Sequence, residues 1–264
     1  MSSPKPDISI RLEVLPGASV GEQIANARSY GFDAIALPGR FKDRWEGPLK
    51  ECFADLPLPL ASISLGFERS LLSPDESARE HCRNSLRRLF DLCAELRVPR
   101  FNMPPCLIQD NPEQVTQDAD RWLLDQLPHL AEAAKDRGVT LLLEPVNKYE
   151  SDHLHSVEHA ARLTREIGHS HLKCTADFFH MQLEELDTPT ALKNAGTEVS
   201  HIHVAENTRV EPGPGSLDFK PGFAILKKNG YAGIIEVECR FLSGDPTTVL
   251  PAAIRHLKKS WLTS

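Results

Sequence analysis

Short apolar runs alternate with longer amphipathic stretches along the whole chain. The runs fall near residues 8–13, 33–37, 60–65, 100–103, 139–144, 171–176, 199–205 and 233–238, and their length and aliphatic content predict eight strands. The stretches between them repeat the helical period and repeatedly close in the same way, with a glycine followed by the next apolar run. "ARSYG-FDAIAL" at Gly31, "AAKDRG-VTLLLE" at Gly138, "TREIG-HSHLKC" at Gly168, "LKNAG-TEVSHIHV" at Gly196 and "LKKNG-YAGIIEVE" at Gly230 share this form. Glycine just past a helix takes the left-handed conformation that ends the last turn. Val98–Pro99 looks like the same junction with proline as the punctuation. "SPDE", Ser73–Glu76, has the form of a capping box with Pro74 at the first helical position, and predicts a long helix to about Leu96.

The later glycines are 30, 28 and 34 residues apart, the size of one strand-plus-helix unit. Eight such units in 264 residues predict an α/β fold, a single closed (β/α)8 barrel occupying residues 1–264 as one domain. The alternative is a doubly wound sheet, but no GxGxxG follows the first strand.

Composition narrows the functional classes. The formal charge is -7 and no basic block appears, which argues against nucleic-acid binding. The six cysteines have no metal-ligand spacing, the N-terminus "MSSPKPDISI" has no apolar leader, and no run approaches the ~20 apolar residues of a membrane span. These features predict a soluble, reduced, cytoplasmic protein.

In a parallel barrel, chemistry sits at the C-terminal ends of the strands. Strand five ends in Glu144, with Glu150 six residues on. Strand six ends in Asp177, followed by His180. Strand seven carries His201 and His203 on one face, with Arg209 beyond, and strand eight carries Glu236 and Glu238 on one face. Each has an ordinary reading by itself: a solvated strand end, a cap for a helix starting at Phe178, or histidines satisfied in a core. Two carboxylates pointing into a barrel are harder to explain without a cation. Four consecutive strands ending this way point to a site. Oxygen-rich ligation with one imidazole favours Mn2+, Mg2+ or Co2+ over a structural zinc, which would want thiolates or closed tetrahedral spacing.

The segments "LEPVNKYE", "ADFFHM", "HIHVAENTRVEPGPGSLDF" and "EVECR", within residues 139–240, resemble the xylose-isomerase-like TIM barrels. The likeness is to their sugar isomerase and epimerase members, in the ketose 3-epimerase and hydroxypyruvate-isomerase branch typified by D-tagatose 3-epimerase. The resemblance implies one divalent metal ion, Mn2+ foremost, held by Glu144, Asp177, His203 and Glu238. It implies that Glu144 and Glu238 double as catalytic acid and base, and that Glu150, His180 and Arg209 contact the substrate. It selects His203 over His201 and Glu238 over Glu236; the later member of each pair also lies nearer the strand's C-terminal mouth. The expected reaction is epimerisation or isomerisation of a free ketose or related keto-sugar through a cis-enediolate, with 3-epimerisation favoured. The partner is a small sugar, and relatives are commonly dimers or tetramers.

Three other activities compete. A lyase acting on a keto-glycoside or inosose would need the same metal and carboxylates. An AP-endonuclease-like phosphodiesterase would need histidines after strands two to four, yet "SISLGF" and "FNMPPC" at strands three and four have none, and a histidine where Lys220 stands. A non-catalytic sugar binder would not require both carboxylates. Two departures from the epimerases stand out: "IALPGR" ends strand two without an acidic residue, and "SDHLHS" follows Glu150. The loop "VEPGPGSLDFKPGF" reads as a tight turn at Gly213 and Gly215 with Ser216 or Asp218 capping the next helix, in preference to a phosphate cradle.

Overall fold

Aliphatic runs too short for a helix become strands, and the punctuating glycines let each helix reverse onto the next strand. In the computed structural model, which describes residues 5–40, 53, 56–108 and 118–264, the strands are β1 (Asp7–Arg11), β2 (Ala34–Pro38), β3 (Leu60–Ser64) and β4 (Arg100–Met103), then β5 (Thr140–Leu143), β6 (Leu172–Asp177), β7 (Val199–Val204) and β8 (Ile234–Val237). Each pairs in parallel with its sequence neighbours, and β1 closes on β8 with Ile8 opposite Ile235. The fold is the expected single (β/α)8 barrel.

The helices are α1 (Val20–Tyr30), α2 (Glu76–Leu96), α3 (Ala119–Lys135), α4 (Val157–Ile167), α5 (Phe178–Glu184), α6 (Thr188–Ala195), α7 (Lys220–Lys228) and α8 (Pro246–Leu262). All five punctuating glycines have positive φ. At the Val98–Pro99 junction the left-handed position is taken by Arg97, at φ 57°. The capping box at Ser73 is corrected. Asp75 is the cap, accepting the Ser77 N–H at 2.9 Å, so the helix opens at Glu76 and Pro74 stays outside it. Ser73 instead accepts the Asp75 N–H, because a carboxylate two residues closer to the helix competes better for the free N–H groups.

Period-two alternation splits each strand between two environments. Ile8, Ile10, Ile35, Ile63, Leu141, Ile202, Ile235 and Val237 pack into the hydrophobic core. The opposite face is polar: Ser9, Ser62, Asn102, Thr175, His201 and Glu236 are fully buried. Ser62 on β3 donates to Glu236 on β8 at 2.5 Å, and Thr175 on β6 donates to Asn102 on β4 at 2.6 Å. Those strands are not neighbours, so these side chains meet inside the barrel. Barrel interiors are usually filled by branched aliphatic residues; this one carries a hydrogen-bonded polar layer beneath its C-terminal mouth. The five described cysteines are buried, as apolar packing predicts, and Cys52 lies outside the described residues. Among the described residues no helix is long and apolar enough to cross a membrane.

Candidate active site

Four strand ends deliver the acidic cluster. Glu144 directly follows β5, where Pro145 prevents the strand from continuing. Asp177 ends β6, His203 is the penultimate residue of β7, and Glu238 directly follows β8. One ligand atom from each of the four lies within 4.8 Å of all the others. His203 Nδ1 is 2.8 Å from Glu144 Oε1 and 3.1 Å from Glu238 Oε2. Asp177 and His203 are fully buried, and Glu144 and Glu238 are 4% and 7% exposed.

Asp177 serves as the helix cap and also turns one oxygen toward the cluster. Its Oδ1 accepts the Phe179 N–H at 2.8 Å and caps α5, while Oδ2 faces the cluster. Arg209 bridges from above, donating to Asp177 Oδ2 at 2.7 Å and to Glu238 Oε2 at 2.6 Å. Its backbone is left-handed at φ 62°, held by its N–H on the Glu206 carbonyl and by the Arg240 N–H on its own carbonyl. His180 sits beside Asp177 at 3.4 Å. Its Nδ1 accepts the Asn147 backbone N–H at 3.2 Å, which leaves Nε2 as the protonated nitrogen facing Asp177. Glu150 accepts from Asn147 at 3.2 Å and lies 3.8 Å from Arg240.

The charges explain each other. Burial opposes the charged form of His203, but Glu238, Glu144 and Glu236 outweigh it and hold the imidazole well above its ordinary range. Burial would raise Glu238, yet Arg11, His203 and Arg209 keep it well below the usual carboxylate range. Glu236, one pleat repeat deeper, is likewise pushed down against burial to about 2, mainly by His203 and His201. His201, 3.1 Å from Glu236, is lowered by burial.

Three carboxylate donors and one imidazole converging in a buried cluster fit a divalent cation. Without one, among the described residues a protonated His203 and the Arg11 and Arg209 guanidinium groups offset the carboxylates. The 2.8 and 3.1 Å separations at His203 Nδ1 are those of neighbouring donors about 2.1 Å from one ion.

Above the cluster opens a cavity of about 360 Å3, a size suited to a small ligand. Its polar wall includes Glu144, Glu150, His180, Arg209 and Glu238, so the cavity brings five of the seven sequence-predicted residues to one surface. Asp177 and His203 lie beneath it. Its apolar wall includes Leu65, Leu107, Ile108 and Val146. A second cavity of about 340 Å3, lined by Arg100, Lys173 and Gly233, is at the opposite end of the strands and contains none of these groups.

Several residues escaped the sequence reading. Arg11, at the end of β1, is 2.7 Å from Glu238 and lines the cavity. Asn102 donates to Glu144 Oε2 at 2.6 Å and so orients it. Both were within reach of the period-two rule, since Arg11 follows Ser9 on the inward face of β1 and Asn102 alternates with Phe101 and Met103 on β4. Glu206 accepts the Gly213 N–H at 2.7 Å and the Leu217 N–H at 3.1 Å. These are the groups a phosphate would require, so the turn is closed by its own carboxylate. Asp218 accepts the Lys220 N–H at 3.1 Å from one residue before the cap position of α7, which is Phe219.

A family model described as a xylose isomerase-like TIM barrel matches residues 24–260. A 3-dehydro-D-guloside 4-epimerase of Escherichia coli is 27% identical over 249 residues, covering 90% of this chain and 93% of that protein. An L-ribulose 3-epimerase of Mesorhizobium japonicum is 30% identical over 222 residues, covering 81% of this chain and 73% of that protein. The solved structure of a 3-keto-D-glucoside 4-epimerase from E. coli superposes with a TM-score of 0.84 at 23% identity, over 97% of this chain and all of that one.

Proposed function

From the premise that this chain belongs to the xylose isomerase-like TIM barrel family, whose relatives here are sugar epimerases and isomerases, we propose that it inverts the stereocentre beside the ketone of a keto-sugar. The observation that carries this reading is the approach of Glu144 and Glu238, from strands three apart, to one nitrogen of His203 beneath a ligand-sized cavity.

Glu144, Asp177, His203 through Nδ1 and Glu238 are the residues that would hold a divalent ion, Mn2+ in the first instance. That ion supplies positive charge to polarise the ketone and to offset charge developing on its oxygen. Glu144 and Glu238 are the acid and base. One carboxylate removes the proton from the carbon beside the ketone, giving an enediolate. The other returns a proton to the opposite face, and the centre is inverted. Arg209 and His180 present N–H donors to substrate oxygens, and Glu150 accepts from a hydroxyl. Leu107, Ile108 and Val146 keep water from the reacting carbon.

The substrate in this reading is a free ketose inverted at C3. A second reading, a keto-glycoside inverted at C4, is favoured by the match to the E. coli guloside epimerase over 93% of that protein. The same carboxylates serve both. Exposed Leu183 and Leu186, at the end of α5 and just beyond it, support self-association, and light scattering reading a dimer or tetramer would agree.

The deciding experiment is proton NMR in D2O of the Mn2+-loaded protein with free ketoses and a methyl 3-keto-glucoside. Deuterium at C3 with a new C3 epimer supports the first reading, and deuterium at C4 of the glycoside the second. Loss of the group β to the ketone would replace both with a lyase. No exchange into any keto-sugar would overturn the proposal.

A further inference from the structure

The loop between β5 and α4 carries more imidazole than the sugar site uses. "SDHLHS" places His153 and His155 in that loop, and His159 follows in the first turn of α4. His155 is accounted for, with Nδ1 on the Val146 carbonyl at 3.0 Å. His153 and His159 turn the other way. Their Nε2 atoms both converge on Asp120 Oδ1, each at 2.8 Å, and His159 Nε2 is also 3.0 Å from Oδ2. Asp120 belongs to the first turn of α3, so three elements meet at one point. The rings stand edge to face with centroids 5.3 Å apart, all three side chains are half-buried, and their ligand atoms lie within 4.8 Å of one another. None of the three lines the substrate cavity or belongs to the cluster around His203.

We propose that Asp120, His153 and His159 form a second cation site, for zinc, that fastens the loop carrying Glu150 to α3 and α4. Two imidazoles and one carboxylate are a borderline donor set with a fourth position left for water, the arrangement zinc takes with three protein ligands. Zinc at about 2.1 Å from each donor needs neighbouring ligand atoms roughly 3.3 Å apart in a tetrahedron. The observed 2.8 Å contacts reach that by opening about half an ångström.

Arg162 competes for the same carboxylate, at 2.5 Å from Asp120 Oδ2. It is half-exposed and has Glu166 on its own helix 3.7 Å away, so it has somewhere to go. The clamp acts on a strained segment. Leu154, between the two loop histidines, is left-handed at φ 65°, and Glu150, three residues before His153, accepts the Ile108 N–H on its carbonyl. This inference stands apart from the sugar reading, since it uses none of the same residues.

Calorimetric titration with Zn2+ alone, on the Mn2+-loaded wild type and two variants, tests it. Anomalous diffraction from zinc-soaked crystals locates the ion. The wild type should bind zinc in the micromolar range or tighter, with a peak bounded by the His153 and His159 Nε2 atoms and Asp120. His159→Gln should weaken this by more than the ten- to hundredfold that loss of an outer-sphere partner costs. Arg162→Ala should tighten it, because the competing guanidinium is gone. Binding in the millimolar range only, no peak at this position, or a His159→Gln titration like the wild type would overturn the proposal. A peak at His203 reports on the other cluster and is distinguished by position.

Discussion

At Glu144 one carboxylate is held by two partners with different jobs. Asn102, itself fixed by Thr175, holds Oε2, and this leaves Oε1 for His203 and the cavity. Glu144→Gln keeps the shape and the Asn102 contact but removes the proposed base. Turnover should fall by about 10²–10⁴-fold, measured as loss of deuterium exchange, while a keto-sugar still binds by calorimetry. Arg11 makes the complementary case. Arg11→Met removes a guanidinium from a buried Glu238 that then depends on Arg209 and His203, so chemical denaturation should show a loss of about 2 kcal/mol or more. Glu144 was legible as a strand end, and Arg11 only as an inward parity. The partner each would find lay outside any local pattern, because Glu238 is more than two hundred residues from Arg11 in sequence.

Among the elements, loops are built as deliberately as strands. Glu206 closes the turn at Gly213 and holds the segment from which Arg209 projects. Glu206→Ala leaves two backbone N–H groups without their acceptor. It should cost about 1–3 kcal/mol by denaturation and lower kcat/KM through Arg209. On the outer layer, α3 is tied to the turn after α4 by Glu132, which His169 and then Lys135 push down to about 2. A depressed carboxylate contributes stability that is present above its ordinary value near 4.5 and is lost as pH falls through about 2. NMR titration of Glu132 should therefore show a midpoint near 2 that returns toward 4.5 in His169→Gln. Helix starts show where local reading fails. Ser73 and Asp75 both satisfy a capping pattern, and only the path of the chain into α2 decides that Asp75 does the capping.

For the molecule as a whole, the mouth of the barrel concentrates negative charge that packing alone does not relieve. Adding Mn2+ to metal-stripped protein should raise its Tm, by about 2.7 kcal/mol of stability at a hundredfold excess over Kd. Scanning calorimetry with and without chelator checks this, and an unchanged Tm would count against the cluster as a metal site.

The sequence by itself determined the eightfold alternation, the glycine stops, the inward parity of each strand and the four acidic or imidazole strand ends. Those are local properties: periodicity, backbone freedom and side-chain alternation act over a few residues. Only the tertiary structure decided which groups meet. Barrel closure sets Ser62 against Glu236, Arg11 against Glu238, and Asp120 against His153 and His159. Those pairings depend on strand register and helix placement around a ring. No interval along the chain encodes them.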